Sequence, residues 1–153
     1  MRLLPLLLLL PTALAAQSIP PAEYAVRRDS LAARLDSGVV VAFGGRSPVT
    51  PERFVQLPAF RYLTGFLEPD AALVMVVRGG KPSATLYTSA RDPRRALYDG
   101  FPPDSAEVAR RTGIPARSIG ALAAQLDSLA ATRLPFYTLA DFATADASET
   151  DSL

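Results

Sequence analysis

The stretch Phe54–Val77, FVQLPAFRYLTGFLEPDAALVMVV, constrains this chain more than any other. Its second half, Ala71–Val77, is an unbroken run of apolar residues, several of them small or β-branched, fenced by Pro69-Asp70 and Gly79-Gly80. A run without alternation predicts a strand buried on both faces, so layers must cover it above and below. Its first half, AFRYLTGF, sets three aromatics around a glycine in a segment too short to be an independent helix. Those rings need the neighbouring strand to be buried, with Tyr62 and Phe66 expected as the anchors. Glu68-Pro69 forces an extended approach to the strand.

The flanking elements follow from local signals. Pro20-Pro21 opens a helix with Tyr24, Leu31 and Leu35 on one side, and Gly38 stands where a left-handed stop is wanted. Val39–Phe43 reads as a buried strand. Gly44-Gly45-Arg46-Ser47 after it reads as a tight turn rather than an anion cradle, because the Lys-Ser/Thr spacing of a phosphate loop is missing. Arg78-Gly79-Gly80-Lys81 predicts a hairpin turn, with Ser83–Thr88 as the returning strand and Leu86 facing opposite to Tyr87. RDPRRALYDG (91–100) reads as a polar loop or one helical turn. Asp104 and Glu107 have capping-box spacing, and Gly113 closes that helix. Ser118 caps another, whose Ile119, Leu122, Leu126 and Leu129 form a core stripe. Leu134–Thr138 reads as a last strand. The order predicts a single small α/β domain, a mixed sheet flanked by helices.

Composition narrows the function. The 153 residues fit one domain with an ordinary apolar fraction of 49%. Met1-Arg2, the apolar run Leu3–Leu10 and Ala13-Leu14-Ala15 predict a cleavable leader over residues 1–15, hence export to a periplasm or the outside. That run is too short to span a bilayer, and without cysteine in the chain no lipid anchor through that residue forms. The domain is then residues 16–140, and 141–153 is either a tail or the start of an interdomain linker. Without Arg2, 15 basic residues balance 15 acidic ones. The pairs Arg27-Arg28, Arg94-Arg95 and Arg110-Arg111 each have an acid nearby (Asp29, Asp92, Glu107), which predicts solvated faces and local ion pairs rather than a nucleic-acid surface. With no histidine or cysteine, the chain has no imidazole base, thiolate or ordinary zinc site. Its carboxylates are scattered singly, and by itself it looks non-catalytic.

One set of residues resembles a known family. Phe54-x-Gln56-x-x-x-Phe60-x-Tyr62-Leu63-Thr64-Gly65-Phe66, then Glu68-Pro69-x-Ala71-x-Leu73-Val74, is similar to the amino-terminal domain of Xaa-Pro aminopeptidases (aminopeptidase P), of the creatinase/prolidase type. Tyr24 with Arg27-Arg28-x-x-Leu31, Arg91-Asp92, Tyr98-x-Gly100 and the helix from Ser118 keep the family's order, so the likeness runs from about Ile19 to Tyr137. The resemblance implies a domain that precedes a pita-bread catalytic domain. There two Asp, one His and two Glu hold a metal pair, usually manganese, whose bridging hydroxide attacks the bond before proline. None of those ligands maps onto this chain. It implies structural roles for Tyr62, Leu63, Thr64, Gly65, Phe66, Glu68 and Pro69. It places Arg91, Asp92 and Tyr98 at a substrate mouth or domain contact, against the catalytic domain or a like subunit; a packed surface aromatic is the competing role for Tyr98. Val55 and Leu57-Pro58-Ala59 stand where the family is more polar. Two functions stay open: the front end of a secreted metalloaminopeptidase cut short before its catalytic domain, or a stand-alone exported binding or regulatory domain.

Overall fold

A computed structural model describes residues 19–48, 53–89, 96 and 100–139. The leader expected at 1–15, the tail from 141 and the loop residues Arg91, Asp92, Leu97 and Tyr98 lie outside the described residues.

Three strands make the centre. β1 (Gly38–Phe43), β2 (Ala72–Arg78) and β3 (Lys81–Thr88) run antiparallel in sequence. The β2–β3 turn is the expected Gly79-Gly80, both residues at positive φ (55° and 69°), with Arg78 paired to Lys81. Short parallel strands extend the sheet at both sides: β4 (Ala116–Ser118) on β3 and β5 (Phe136–Thr138) on β1, giving the order β4-β3-β2-β1-β5. The sheet is therefore mixed, as expected. β4 has no local signal: three residues after Pro115 become a strand only because Leu86 and Thr88 offer it a register.

Helices cover both faces, which explains why β2 carries an unbroken apolar run. On one face Val40, Ala42, Leu73, Met75, Val77 and Leu86 meet α1 (Pro21–Leu35), α2 (Pro58–Thr64) and α3 (Ser105–Thr112) through Ala32, Phe60, Leu63 and Val108. On the other, Val39, Val41, Ala72, Val74 and Tyr87 meet the expected stripe, Ile119, Leu122, Leu126 and Leu129, from a 3₁₀ turn (Ile119–Ala121) and α4 (Leu122–Ala130). Leu86 and Tyr87 are both fully buried, on opposite faces. Each such side chain contributes about 1.5–3 kcal/mol on leaving water. None of the described helices is long and apolar enough to cross a membrane.

The ends of the helices show where local rules hold. Asp104 accepts from Glu107 N at 2.8 Å and Gly113 closes α3 at φ 69°. α1 differs: it ends at Asp36, whose φ of 55° and ψ of −61° lie outside the left-handed helical region, and not at a left-handed Gly38. Gly38 is needed for closeness instead, since a Cβ there would stand 2.6 Å from the Tyr137 ring. The AFRYLTGF segment does form a helix, seven residues of α2 that lean on the sheet through Phe60 (1% exposed) and Leu63. Phe66 is buried, as expected. Tyr62 corrects the expectation: it is 55% exposed and anchors nothing in the core.

Candidate functional site

β1, β3, β4 and β5 all end, and β2 begins, at one edge of the sheet. This carboxyl edge gathers the loops on either side of the motif, and two polar residues brace it. Gln56, 6% exposed, accepts from Gly45 N (2.7 Å) and Leu57 N (3.0 Å) through Oε1 and donates from Nε2 to the Glu68 carbonyl (2.9 Å). Asp70, at φ 53°, accepts from Ser47 N (3.2 Å) and Ser47 Oγ (2.6 Å), and its own carbonyl accepts from Ser89 Oγ (3.2 Å). Backbone bonds from Gly44 N to the Ala71 carbonyl and from Asp70 N to the Gly45 carbonyl finish the lock.

Gly44–Ser47 do not form the expected tight turn; the Gly44 and Gly45 amides donate to the Ala71 carbonyl and to Gln56 Oε1, which leaves no anion cradle there. A Cβ at Gly44 would sit 3.1 Å from Gln56 Oε1, so the glycine makes room for the brace. Ser47 and Asp70 form a hydroxyl–carboxylate pair, but the same carboxylate caps the Ser47 amide, and a chain without histidine has no imidazole to complete a nucleophilic relay.

A second constellation ties α1 to α2. The last carbonyls of α2 lack intrahelical donors. Gly65 N takes Arg61 O, Arg27 Nη1 donates to Tyr62 O at 3.3 Å, and Arg28 Nη1 donates to Leu63 O at 2.8 Å. Arg27 also lies over the Tyr62 and Tyr24 rings, 4.5 and 5.0 Å from their centroids, and pairs with Glu23. Gly65 (φ 66°) is the only residue type this junction admits, because a Cβ would meet the Tyr24 ring at 2.5 Å. Arg28 is 6% exposed, so the Arg27-Arg28 pair is not the solvated ion-pair face expected from Asp29. Two adjacent helix-end carbonyls need two donors, and this need outweighs hydration. Burial pushes the Arg28 guanidinium below the ordinary arginine range, against the field of Asp29, which raises it. Arg110 and Arg111 behave as expected: both pair with Glu107 on the surface of α3.

Several of the motif residues are held by buried contacts of their own. Leu63 and Phe66 pack in the core. Thr64, fully buried, donates to the Phe60 carbonyl (2.8 Å) and accepts from Phe66 N (3.0 Å). Glu68 lends its carbonyl to Gln56, and Pro69 leads into the brace at Asp70. The sequence assigns no bracing role to Gln56 or Asp70; their signal is only their place inside the motif and next to its proline. Among the described residues no cluster of three or more carboxylate, imidazole or thiolate groups is placed to hold a metal ion. With no histidine in the chain, the donor set that the resemblance implies, which includes one, does not fit these residues.

Fold and edge together define a mixed-sheet α/β domain with a braced carboxyl edge. A family model described as "Aminopeptidase P, N-terminal domain" matches residues 24–137, and the chain belongs to that family. Rat Xaa-Pro aminopeptidase 3 is 40% identical over 95 residues, and the mouse protein of that name matches equally; each match covers 51% of this chain and 19% of the relative's length. Among solved structures, Escherichia coli aminopeptidase P in complex with substrate superposes with a TM-score of 0.70 at 23% identity, over 89% of this chain and 32% of that one. A putative aminopeptidase P from Bacillus anthracis gives 0.72 at 18% identity, over 88% and 35%. Proline aminopeptidase P II from Yersinia pestis gives 0.69 at 25%, over 88% and 32%. The chain thus spans about a fifth to a third of the proteins it matches.

Proposed function

We propose that this chain supplies the non-catalytic amino-terminal domain of an exported, manganese-dependent Xaa-Pro aminopeptidase. The domain presents its carboxyl edge to a catalytic domain that holds the metal pair and removes the residue before proline, and Arg91, Asp92 and Tyr98 contact that partner as the family resemblance implies. The observation that carries this reading is the family match across residues 24–137. It is supported by the use of the motif's polar groups, which are engaged in bracing loops and helix ends. Export rests on the leader pattern of residues 1–15, and manganese on the family resemblance alone.

The test is reconstitution. The catalytic domain of rat Xaa-Pro aminopeptidase 3 is prepared without its own amino-terminal region and assayed on Xaa-Pro peptides, with Mn²⁺, alone and with this chain. The expected result is faster cleavage with the chain present. A rate that the chain does not change at any concentration overturns the proposal. Export is tested by the mass of the chain recovered outside the cytoplasm, expected to begin after Ala15.

A further inference from the structure

We infer that the cleft between α1, the start of β3 and the link from α3 to β4 binds a carboxylate, held by Arg28. The cleft has a volume of about 280 Å³ and is lined by Arg28 and Asp29 of α1, residues 82–84 of β3 and residues 113–115 of the link. It lies where β3 begins, at the opposite end of the sheet from the Gln56 brace.

A buried charge is ordinarily paired with an opposite one. Arg28 is 6% exposed, yet among the described residues its one hydrogen bond goes to the neutral Leu63 carbonyl, and it has no ion pair. That bond uses Nη1 alone. No side-chain nitrogen among the described residues is both sealed from water and without a partner, so Nε and Nη2 reach water, and the cleft that Arg28 lines is their opening. The two N–H groups of an Nε–Nη2 edge match the two oxygens of a carboxylate. Burial lowers the pKa of this guanidinium more than the field of Asp29 raises it, which is the condition of a charge whose counter-ion is missing.

The backbone adds a donor. Leu86 N donates to the Pro115 carbonyl, so Ala84, two residues earlier, turns its N–H and carbonyl to the same side. The β3–β4 ladder begins only at Leu86, which leaves that side of Ala84 without a strand. The gap has a local cause. Pro115 has no N–H to give the Ala84 carbonyl, and Ile114 N turns back to Thr112 Oγ1 at 3.1 Å, so the link parts from β3 there.

Charge selects the ligand. Asp29 and the carbonyl end of α3, which closes at Gly113, border the cleft beside a single guanidinium. That balance suits one negative charge and disfavours the two of a phosphate. The volume is at the small end of ligand sites, so the acid is a small one or the carboxyl end of a peptide.

Nuclear magnetic resonance on the full, isotope-labelled chain tests this with acetate, trialanine and trialanine amidated at its carboxyl end. The Arg28 Nε and Ala84 amide signals are expected to shift and saturate with the first two and not with the third. Saturation by trialanine at roughly tenfold lower concentration than acetate identifies a peptide end that also uses the Ala84 backbone; equal affinities identify a free acid. Arg28→Met, read at the Ala84 amide, is expected to weaken binding about tenfold or more. Asp29→Asn is the second variant, because Asp29 is exposed and its loss leaves the packing intact. It removes the competing carboxylate and is expected to tighten binding roughly two- to fivefold. Signals that do not saturate, wild-type affinity in Arg28→Met, unchanged or weaker affinity in Asp29→Asn, or tighter binding of inorganic phosphate than of either acid would each overturn the inference.

Discussion

Replacing Arg28 by methionine tests how the two helices on the motif side are joined. The side chain is 6% exposed, and its Nη1 lies 2.8 Å from the Leu63 carbonyl at the end of α2. Methionine keeps most of the aliphatic volume and removes the donor, so the expected loss is that of a buried carbonyl left without a partner, about 1–3 kcal/mol. Relief of the desolvated charge offsets part of this, since burial already disfavours the charged guanidinium. A net loss near 2 kcal/mol lowers the thermal midpoint of a domain this size by roughly 5–10 °C. Arg27→Met is the control. It loses a longer 3.3 Å bond, a partly exposed ion pair and ring contacts at 4.5 and 5.0 Å, so its expected cost is about 0.5–1 kcal/mol. Urea and thermal unfolding by circular dichroism measure both. If Arg28→Met melts with wild type, or Arg27→Met costs as much, the Leu63 bond is not what joins the helices.

Three further outcomes are expected. Phe60→Ala, at a fully buried ring, costs about 3–5 kcal/mol, whereas Tyr62→Ala, at a ring 55% exposed, costs about 1 kcal/mol or less by urea unfolding. Gly65→Ala destabilises on two counts, a positive φ of 66° and a Cβ 2.5 Å from the Tyr24 ring; adding Tyr24→Ala relieves only the second, so the double variant costs less than the sum of the singles. Hydrogen bonds from Arg110 and Arg111 hold the Glu107 carboxyl below its ordinary value of 4.5. A depressed carboxylate contributes stability above the unfolded pKa that is lost as pH falls through the folded one. Glu107→Gln is therefore expected to lower the melting midpoint slightly at neutral pH, where the ionised carboxylate contributes, and to close the gap to wild type as the pH falls below about 4.5.

How much of the fold is legible in the sequence depends on how local each determinant is. The Gly79-Gly80 turn, the Asp104 cap and the Gly113 stop each act within four residues, and all three stand where expected. The unbroken Ala71–Val77 run discloses a strand covered on both sides, because a single-faced arrangement would leave alternate apolar residues in water, whereas all but the half-buried Val76 are buried. β4 stays hidden because its pairing partner Leu86 is thirty residues away in the chain. The burial of Arg28 stays hidden for a related reason. An arginine beside an aspartate looks solvated until α2 brings an unpaired carbonyl to it, from 35 residues further on. Tyr62 reads wrongly as an anchor because aromatic content does not say which side of a short helix faces the sheet; Phe60 and Leu63 take that side. At the candidate site, the motif lies along the braced edge, but Gln56 and Asp70 act on partners 11 to 23 residues away, and only the folded chain shows them as its braces.

The role we propose for this chain is that of a positioning domain and not of the catalyst itself. Its most direct test is turnover of Xaa-Pro peptides by the purified chain from residue 16 onward, with Mn²⁺ added and host peptidases rigorously removed. The expected result is no release of amino-terminal residues above the buffer control. Sustained turnover that fractionates with the chain would contradict the claim.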